Sequence, residues 1–179
     1  MLTGVQLVEN ILVIAGPLPQ KKLQKLAYLA EIRYAEKYGA RLSDLSFIRY
    51  YYGPYSSDIR NIEDEDDNIV IEEIRQNVYP MKKSKIVAPE RVDKLEPEIE
   101  DYLKEVITQY NDKTGKDLEI VADNTEPFKE TENLKEPIDL DGYAKYHAII
   151  GNENFLKVVM EKDKKNASKG LYHSVKSYR

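Results

Sequence analysis

Between Lys22 and Tyr38, apolar residues recur at three- and four-residue steps on two faces at once. Leu23, Leu26, Ala27, Ala30, Tyr34 and Tyr38 make one stripe, and Tyr28, Ile32 and Ala35 make a second. Lys22, Lys25, Arg33 and Glu36 are left for the polar face, with Leu29 among them. A helix that is apolar around most of its circumference has to be covered on several sides. The segment is therefore expected at the centre of the domain, with the rest of the chain arranged around it. Pro19 suits the first helical turn, where a missing N–H does no harm. Gly39 suits the position just past the helix end, where a positive φ is wanted.

The flanking segments read as smaller elements. Thr3 can cap a helix over roughly 4–15 that faces inward through Val5, Val8, Ile11, Leu12 and Ala15 and stops at Gly16 and Pro17. After Gly39, Ser43 or Asp44 is expected to start a short helix through Leu45 and Ile48. The cluster Tyr50-Tyr51-Tyr52-Gly53-Pro54-Tyr55 then breaks it into irregular backbone. Ser56 or Ser57 can cap the next helix, SSDIRNIED, and residues 63–67 (EDEDD) read as a solvated acidic turn. From Asn68 to Ala88 the β-branched residues and partial alternation predict a two-stranded ribbon.

Glu96 to Gln109 reads as a helix facing inward through Ile99, Leu103, Val106 and Ile107, flanked by Tyr102 and Tyr110. Thr114 caps a short helix that faces inward through Leu118 and Val121. Ile138, Leu140 and Tyr143 begin another, and Glu153 to Lys165 is a final amphipathic helix. The basic end, NASKGLYHSVKSYR, is expected to be mobile. The fold class is thus mainly α with a small two-stranded β ribbon (α+β), in a winged-helix-like order. It comprises one domain over 1–146 and a C-terminal helix and tail over 147–179.

Composition narrows the chemistry. A net charge of −5 over 179 residues argues against wholesale nucleic-acid binding. The chain has no Cys, so it has no disulfide, thiolate metal site or thiol nucleophile. His147 and His173 are the only histidines, and no HExxH, GxSxG, Walker or glycine-rich phosphate motif occurs. The acidic run 63–67 lacks the glycine and closing glutamate that a calcium loop needs. No enzymatic activity, cofactor or metal is expected. No segment has the apolar length of a membrane helix, and the N-terminal segment carries Glu9 and Asn10 without a basic stretch. A cytoplasmic protein is expected. Charge is segregated along the chain: residues 95–141 carry 5 basic against 15 acidic side chains, and residues 142–179 carry 8 against 3. Such polarity can steer a charged partner.

Fourteen Tyr, three Phe and no Trp make the aromatic content polar-tipped. Tyrosine is a strong contact residue, rigid and apolar with one polar end. The four tyrosines of the YYYGPY cluster cannot all point inward, so at least one is expected at the surface. Tyr51 is expected to fill the core against the Tyr34–Tyr38 stripe, and Tyr52 and Tyr55 to be more exposed. Lys25 is either solvated or bonded to carbonyls of the YYYGPY loop. The candidate partner contacts are Lys22, Lys25, Arg33, Arg49, Tyr50, Tyr52 and Tyr55. Leu23, Leu26, Tyr28, Tyr51, Gly53 and Pro54 form the structural motif.

Lys22-Leu23-Gln24-Lys25-Leu26, then Tyr28-Leu29-Ala30, then Tyr51-Tyr52-Gly53-Pro54-Tyr55 about two dozen residues on, resemble the Panacea domain of SocA-like and phage-associated GepA-type antitoxins. Asp123-Asn124-Thr125-Glu126-Pro127-Phe128 lies where that family often shows a His, a few polar residues and Pro-Trp. Here Asp123 and Phe128 stand in place of the His and the Trp. Pro137-Ile138 and the helix through Tyr143 are similar to the family's closing element, so the resemblance covers roughly residues 5–146. It implies a helical domain with a small ribbon and no catalytic chemistry. It also implies a protein partner: a toxin encoded by an adjacent gene, which the chain binds and neutralises or presents to a protease. The tail from Ser168 to Arg179 lies outside the resemblance and is expected to order on a partner.

A winged-helix-like DNA-binding regulator is the alternative. Its support is the helix-then-ribbon order and the basic wing of Lys82, Lys83, Lys85 and Arg91. Against it, the preceding helices hold no run of residues suited to a major groove, and EDEDD adjoins the ribbon.

Overall fold

The computed structural model describes residues 1–76 and 79–151. Helix α1 spans Gly4–Ala15 and is opened by Thr3. The Thr3 hydroxyl accepts the Gln6 N–H while the Gln6 side chain accepts the Thr3 N–H, so two orphan donors are satisfied reciprocally. A two-residue strand β1 (Leu18–Pro19) leads into the long helix α2 (Gln20–Tyr38), which ends at Gly39 in the left-handed conformation. Strands β2 (Ile48–Tyr50) and β3 (Gly53–Tyr55) form a short hairpin. Helix α3 (Ser57–Glu65), capped by Ser56, precedes the ribbon β4 (Ile69–Gln76) and β5 (Tyr79–Ile86). Helices α4 (Pro97–Tyr110), α5 (Gly115–Asp123) and α6 (Glu126–Glu130) follow. A helix α7 begins at 140 and is described as far as 151.

Helix α2 is the hub. Leu23, Leu26, Ala27, Tyr28, Leu29, Ala30 and Ile32 are all buried in one core with residues of α1, α4 and α5. Tyr28 sits at its centre, edge-on to Phe47 at 5.3 Å, and its hydroxyl is paired with the Thr125 hydroxyl at 2.8 Å. The mainly helical class with a small antiparallel sheet is what the sequence predicts. The ribbon gains a third strand, because β1 pairs antiparallel with β5 through Leu18–Ser84 and Pro19–Lys83.

Several local expectations are corrected. Leu29 and Lys25, expected on the polar face of α2, are buried, because the hairpin and α5 cover that side as well. Tyr38, expected in the core stripe, is half exposed, with its ring against Tyr34 and Tyr102 at the surface. In α1 the inward arc runs through Gly4, Leu7, Val8, Ile11 and Leu12, which leaves Val5 outside it and exposed. Gly4 sets that rotation: a β-carbon there would lie 2.6 Å from Leu45 Cδ2.

The expected short helix after Gly39 is absent from the structure. Residues 42–47 are irregular, with bends at Leu42 and Asp44 and an isolated bridge from Ser43 to Leu2, and bury Leu42, Leu45 and Phe47. The Glu31 carboxylate takes the N–H groups of Leu42 and Ser43, and Leu2 exchanges backbone bonds with this segment. With its donors satisfied from outside, the segment has no need of helical bonds. The acidic turn is likewise only partly solvated. Helix α3 runs to Glu65, and Glu63 is buried, accepting from Gln20 Nε2 at 2.7 Å and from the Ser84 hydroxyl. The helix expected over Glu153–Lys165 and the basic tail lie outside the described residues.

Candidate functional site

The YYYGPY cluster is not irregular backbone. Ile48–Tyr55, Arg49–Pro54 and Tyr50–Gly53 pair as a hairpin, with Tyr51 and Tyr52 at its turn. Gly53 has φ +85°, which a tight corner at the start of β3 requires and a glycine adopts without strain.

Helix α2 holds this hairpin through two polar side chains that the core would otherwise exclude. Gln24 Nε2 donates to the Ser56 carbonyl and Gln24 Oε1 accepts the Ser56 N–H, both at 2.8 Å. One turn of helix thus offers the chain leaving β3 the same donor–acceptor pair that a neighbouring strand would offer. Lys25, 3% exposed, donates from Nζ to the Pro54 carbonyl at 2.6 Å. Burial lowers its pKa to about 8, although the carboxylates of Asp123 and Glu119 oppose that shift.

The outer strand of the hairpin is held as firmly. The Arg49 N–H donates to the Glu136 carbonyl at 2.9 Å, and the Lys135 N–H donates to the Arg49 carbonyl at 2.7 Å. The Arg49 guanidinium donates to the carbonyls of Phe128 and Thr131 at 2.7 and 2.9 Å and stacks 4.4 Å from the Phe128 ring. It therefore caps the free carbonyls at the end of α6.

Within the cluster, Tyr50 and Tyr55 are half-buried and stack on each other at 5.5 Å. Tyr51 and Tyr52 are each 67% exposed. Tyr51, expected to fill the core, therefore does not; the two-residue turn of a hairpin this short points both side chains away from the body. Lys21 lies 5.1 Å from the Tyr52 ring and is also paired with Glu119 of α5. Lys21 was not legible as a site residue, because a surface lysine at a helix start carries no signal until the hairpin is placed beside it.

The remaining candidates lie elsewhere. Lys22 donates to the Asn111 carbonyl at the end of α4. Arg33 donates to the Tyr110 hydroxyl at 3.1 Å and pairs with Glu36 at 2.6 Å, beside a cavity lined by Ile120, Asn124, Tyr143 and His147. Of the four cationic candidates, Lys25 and Arg49 converge on the hairpin, while Lys22 and Arg33 tie α2 to α4. Leu23, Leu26 and Tyr28 are buried as the motif requires, and Gly53 and Pro54 form the clamped corner. Among the described residues, no three His, Asp or Glu side chains are gathered as metal ligands. Among the same residues, no helix is long and apolar enough to cross a membrane.

The family described as antitoxin SocA-like, Panacea domain, matches residues 23–129, and the chain belongs to it. The match begins at Leu23, in the turn of α2 that clamps the hairpin, and ends at Lys129 in α6. It therefore takes in the clamp, the hairpin, the ribbon and α5. No curated protein and no solved structure matches the chain.

Proposed function

We propose that the chain is an antitoxin that binds a partner toxin directly, through the tip of the β2–β3 hairpin. The observation that carries this reading is the pair Tyr51 and Tyr52. Both are two-thirds exposed, on a hairpin whose backbone is bonded on both sides by Gln24, Lys25 and the 135–138 segment. Exposed aromatics on a rigid scaffold bind with little ordering cost, which is the usual character of interface anchors. Membership of the antitoxin family supports a protein partner encoded nearby, and the reading places the chain in the cytoplasm, where such a toxin would act. Lys21 and Tyr55, which lie beside the turn, are expected at the rim of the contact.

The DNA-binding reading draws less support. In the ribbon register Glu72 faces Lys83 and Glu73 faces Lys82, while Lys85 pairs with Glu72 and Arg91 with Asp67. The helix before the ribbon, α3, carries Asp58, Glu63, Asp64 and Glu65. The wing is therefore locally neutralised, and the helix that would approach a duplex is acidic.

The test is co-expression with the product of the adjacent open reading frame. That product alone should arrest growth. Co-expression should restore growth and yield a complex that survives high salt. The double variant Tyr51→Ser/Tyr52→Ser should lose rescue and complex together while keeping its circular dichroism and melting transition. Rescue with disappearance of the partner protein would replace direct neutralisation by delivery to a protease. An intact complex in the double variant would move the interface off the hairpin.

A further inference from the structure

We propose that Lys25 and Asp123 are the positioning residues of the tyrosine hairpin: the buried ammonium and the carboxylate facing it hold the Gly53–Pro54 corner between them, and the charge on Lys25 sets how Tyr51 and Tyr52 are presented. This rests on the hairpin tip being the contact surface.

Three observations converge on the corner. A β-carbon on Gly53 would lie 2.6 Å from Asp123 Oδ1 and 3.2 Å from Lys25 Nζ, so the two groups approach the backbone as closely as a glycine permits. Asp123 Oδ1 is buried and accepts no hydrogen bond. Lys25 Nζ donates to the Pro54 carbonyl, one residue after the glycine. A buried carboxylate oxygen without a donor is costly, and so is a buried ammonium without a counter-charge. Across the Gly53 backbone each offsets the other's cost. Asp123 also ends α5, where the helix carbonyls add negative potential toward Lys25.

The charged groups around the pair come from three elements. Glu119 and Asp123 of α5 hold the proton on Lys25, and Lys21 of α2 opposes them. Burial and then Glu119 raise the Asp123 pKa, while Lys25, Arg49 of β2 and Lys21 oppose that shift. A neutral Lys25 amine can still donate to the Pro54 carbonyl, but it no longer draws Asp123 against Gly53. Proton loss therefore loosens the corner without breaking the hairpin.

The test is carbon-detected NMR of the whole chain across the range from about pH 6.5 to about pH 9.5. Lys25 Cε, Gly53 Cα and the Tyr51 and Tyr52 ring signals should titrate together with a midpoint near 8. Asp123→Asn should move that shared midpoint to lower pH, a change that packing alone would not produce. Lys25→Met should abolish the titration of Gly53 and of the two rings. Constant Gly53 and tyrosine signals in the wild-type chain would overturn the proposal. So would an unmoved midpoint in Asp123→Asn, which decides the matter even if Lys25→Met fails to fold. If the coupled titration is present but Tyr51→Ser/Tyr52→Ser still binds its toxin, the positioning device stands and the hairpin interface falls. If the titration is absent and the double variant loses its toxin, the reverse holds.

Discussion

Gln24 and Ser56 exchange two hydrogen bonds, side chain to backbone, at 2.8 Å in each direction, with Gln24 on the central helix and Ser56 at the start of the next one. Both residues are buried. Gln24→Leu keeps much of the volume but leaves a buried N–H and a buried carbonyl unpaired. It should cost about 2–5 kcal/mol of unfolding free energy. Gln24→Glu should be nearly as harmful, because its second oxygen would face the Ser56 carbonyl. Urea denaturation of the two variants checks this. A loss below about 1 kcal/mol in both would mean that the amide does not tie the helix to the hairpin.

Much of this fold is legible in the sequence. The helix through Leu23–Ala35, the Thr3, Ser56 and Thr114 caps, the ribbon, and α4 with its Leu103–Ile107 face follow from periodicity and cap chemistry. What is not legible depends on partners far along the chain. The stretch from Ser43 or Asp44 through Ile48 looks like a short helix until Glu31 takes the N–H groups of Leu42 and Ser43. The bond from Lys25 to a carbonyl of the YYYGPY loop is one of its two sequence readings, but its enclosure by α5 is not legible until the hairpin is placed. Helix α6, only the five residues Glu126–Glu130, has no period to detect. At the site, the motif residues were readable but their division of labour was not. Gln24 and Lys25 face the hairpin backbone, whereas Tyr51 and Tyr52 face solvent, and only the turn geometry separates those roles.

Glu31 offers a second test of a buried polar tie. Its carboxylate is 1% exposed and accepts from the N–H groups of Leu42 and Ser43 and from Arg41 Nε. Glu31→Gln would turn one acceptor oxygen into a donor facing donors. The variant should lose about 2–4 kcal/mol. Hydrogen exchange should locate the damage, with faster exchange at Leu42 and Ser43 while α4 amides stay protected. Uniform acceleration across the domain would instead assign Glu31 a global role.

Gly53→Ala tests the corner itself. The residue has φ +85°, and the new β-carbon would meet Asp123 Oδ1 at 2.6 Å. Left-handed strain and the close contact together should cost about 1–3 kcal/mol, with Asp123→Ala in the same chain recovering the contact part only. Thermal melts of the single and double variants separate the two contributions. Full recovery would show that the backbone conformation is unstrained, and no recovery would show that Asp123 does not press on the corner.

The last prediction concerns alkaline stability. The Lys25 pKa falls from 10.5 in the unfolded chain to about 8 when folded. Between those values the unfolded chain holds a proton that the folded chain has released, so unfolding free energy should rise with pH. Acting alone, the shift corresponds to about 3 kcal/mol gained across that window. Lys22, lowered by partial burial, adds in the same direction. The buried hydroxyls of Tyr28 and Tyr102 set the upper limit, because burial raises both above 10 and stability falls once the unfolded tyrosines ionise. Stability should therefore climb from about pH 8 to about pH 10 and then decline. Lys25→Met should flatten most of the climb. At neutral pH it should change stability little, since it removes a desolvated charge but leaves the Pro54 carbonyl unpaired. Urea titrations at several alkaline pH values distinguish the cases, and an equal slope in the wild type and Lys25→Met would show that Lys25 keeps its proton throughout.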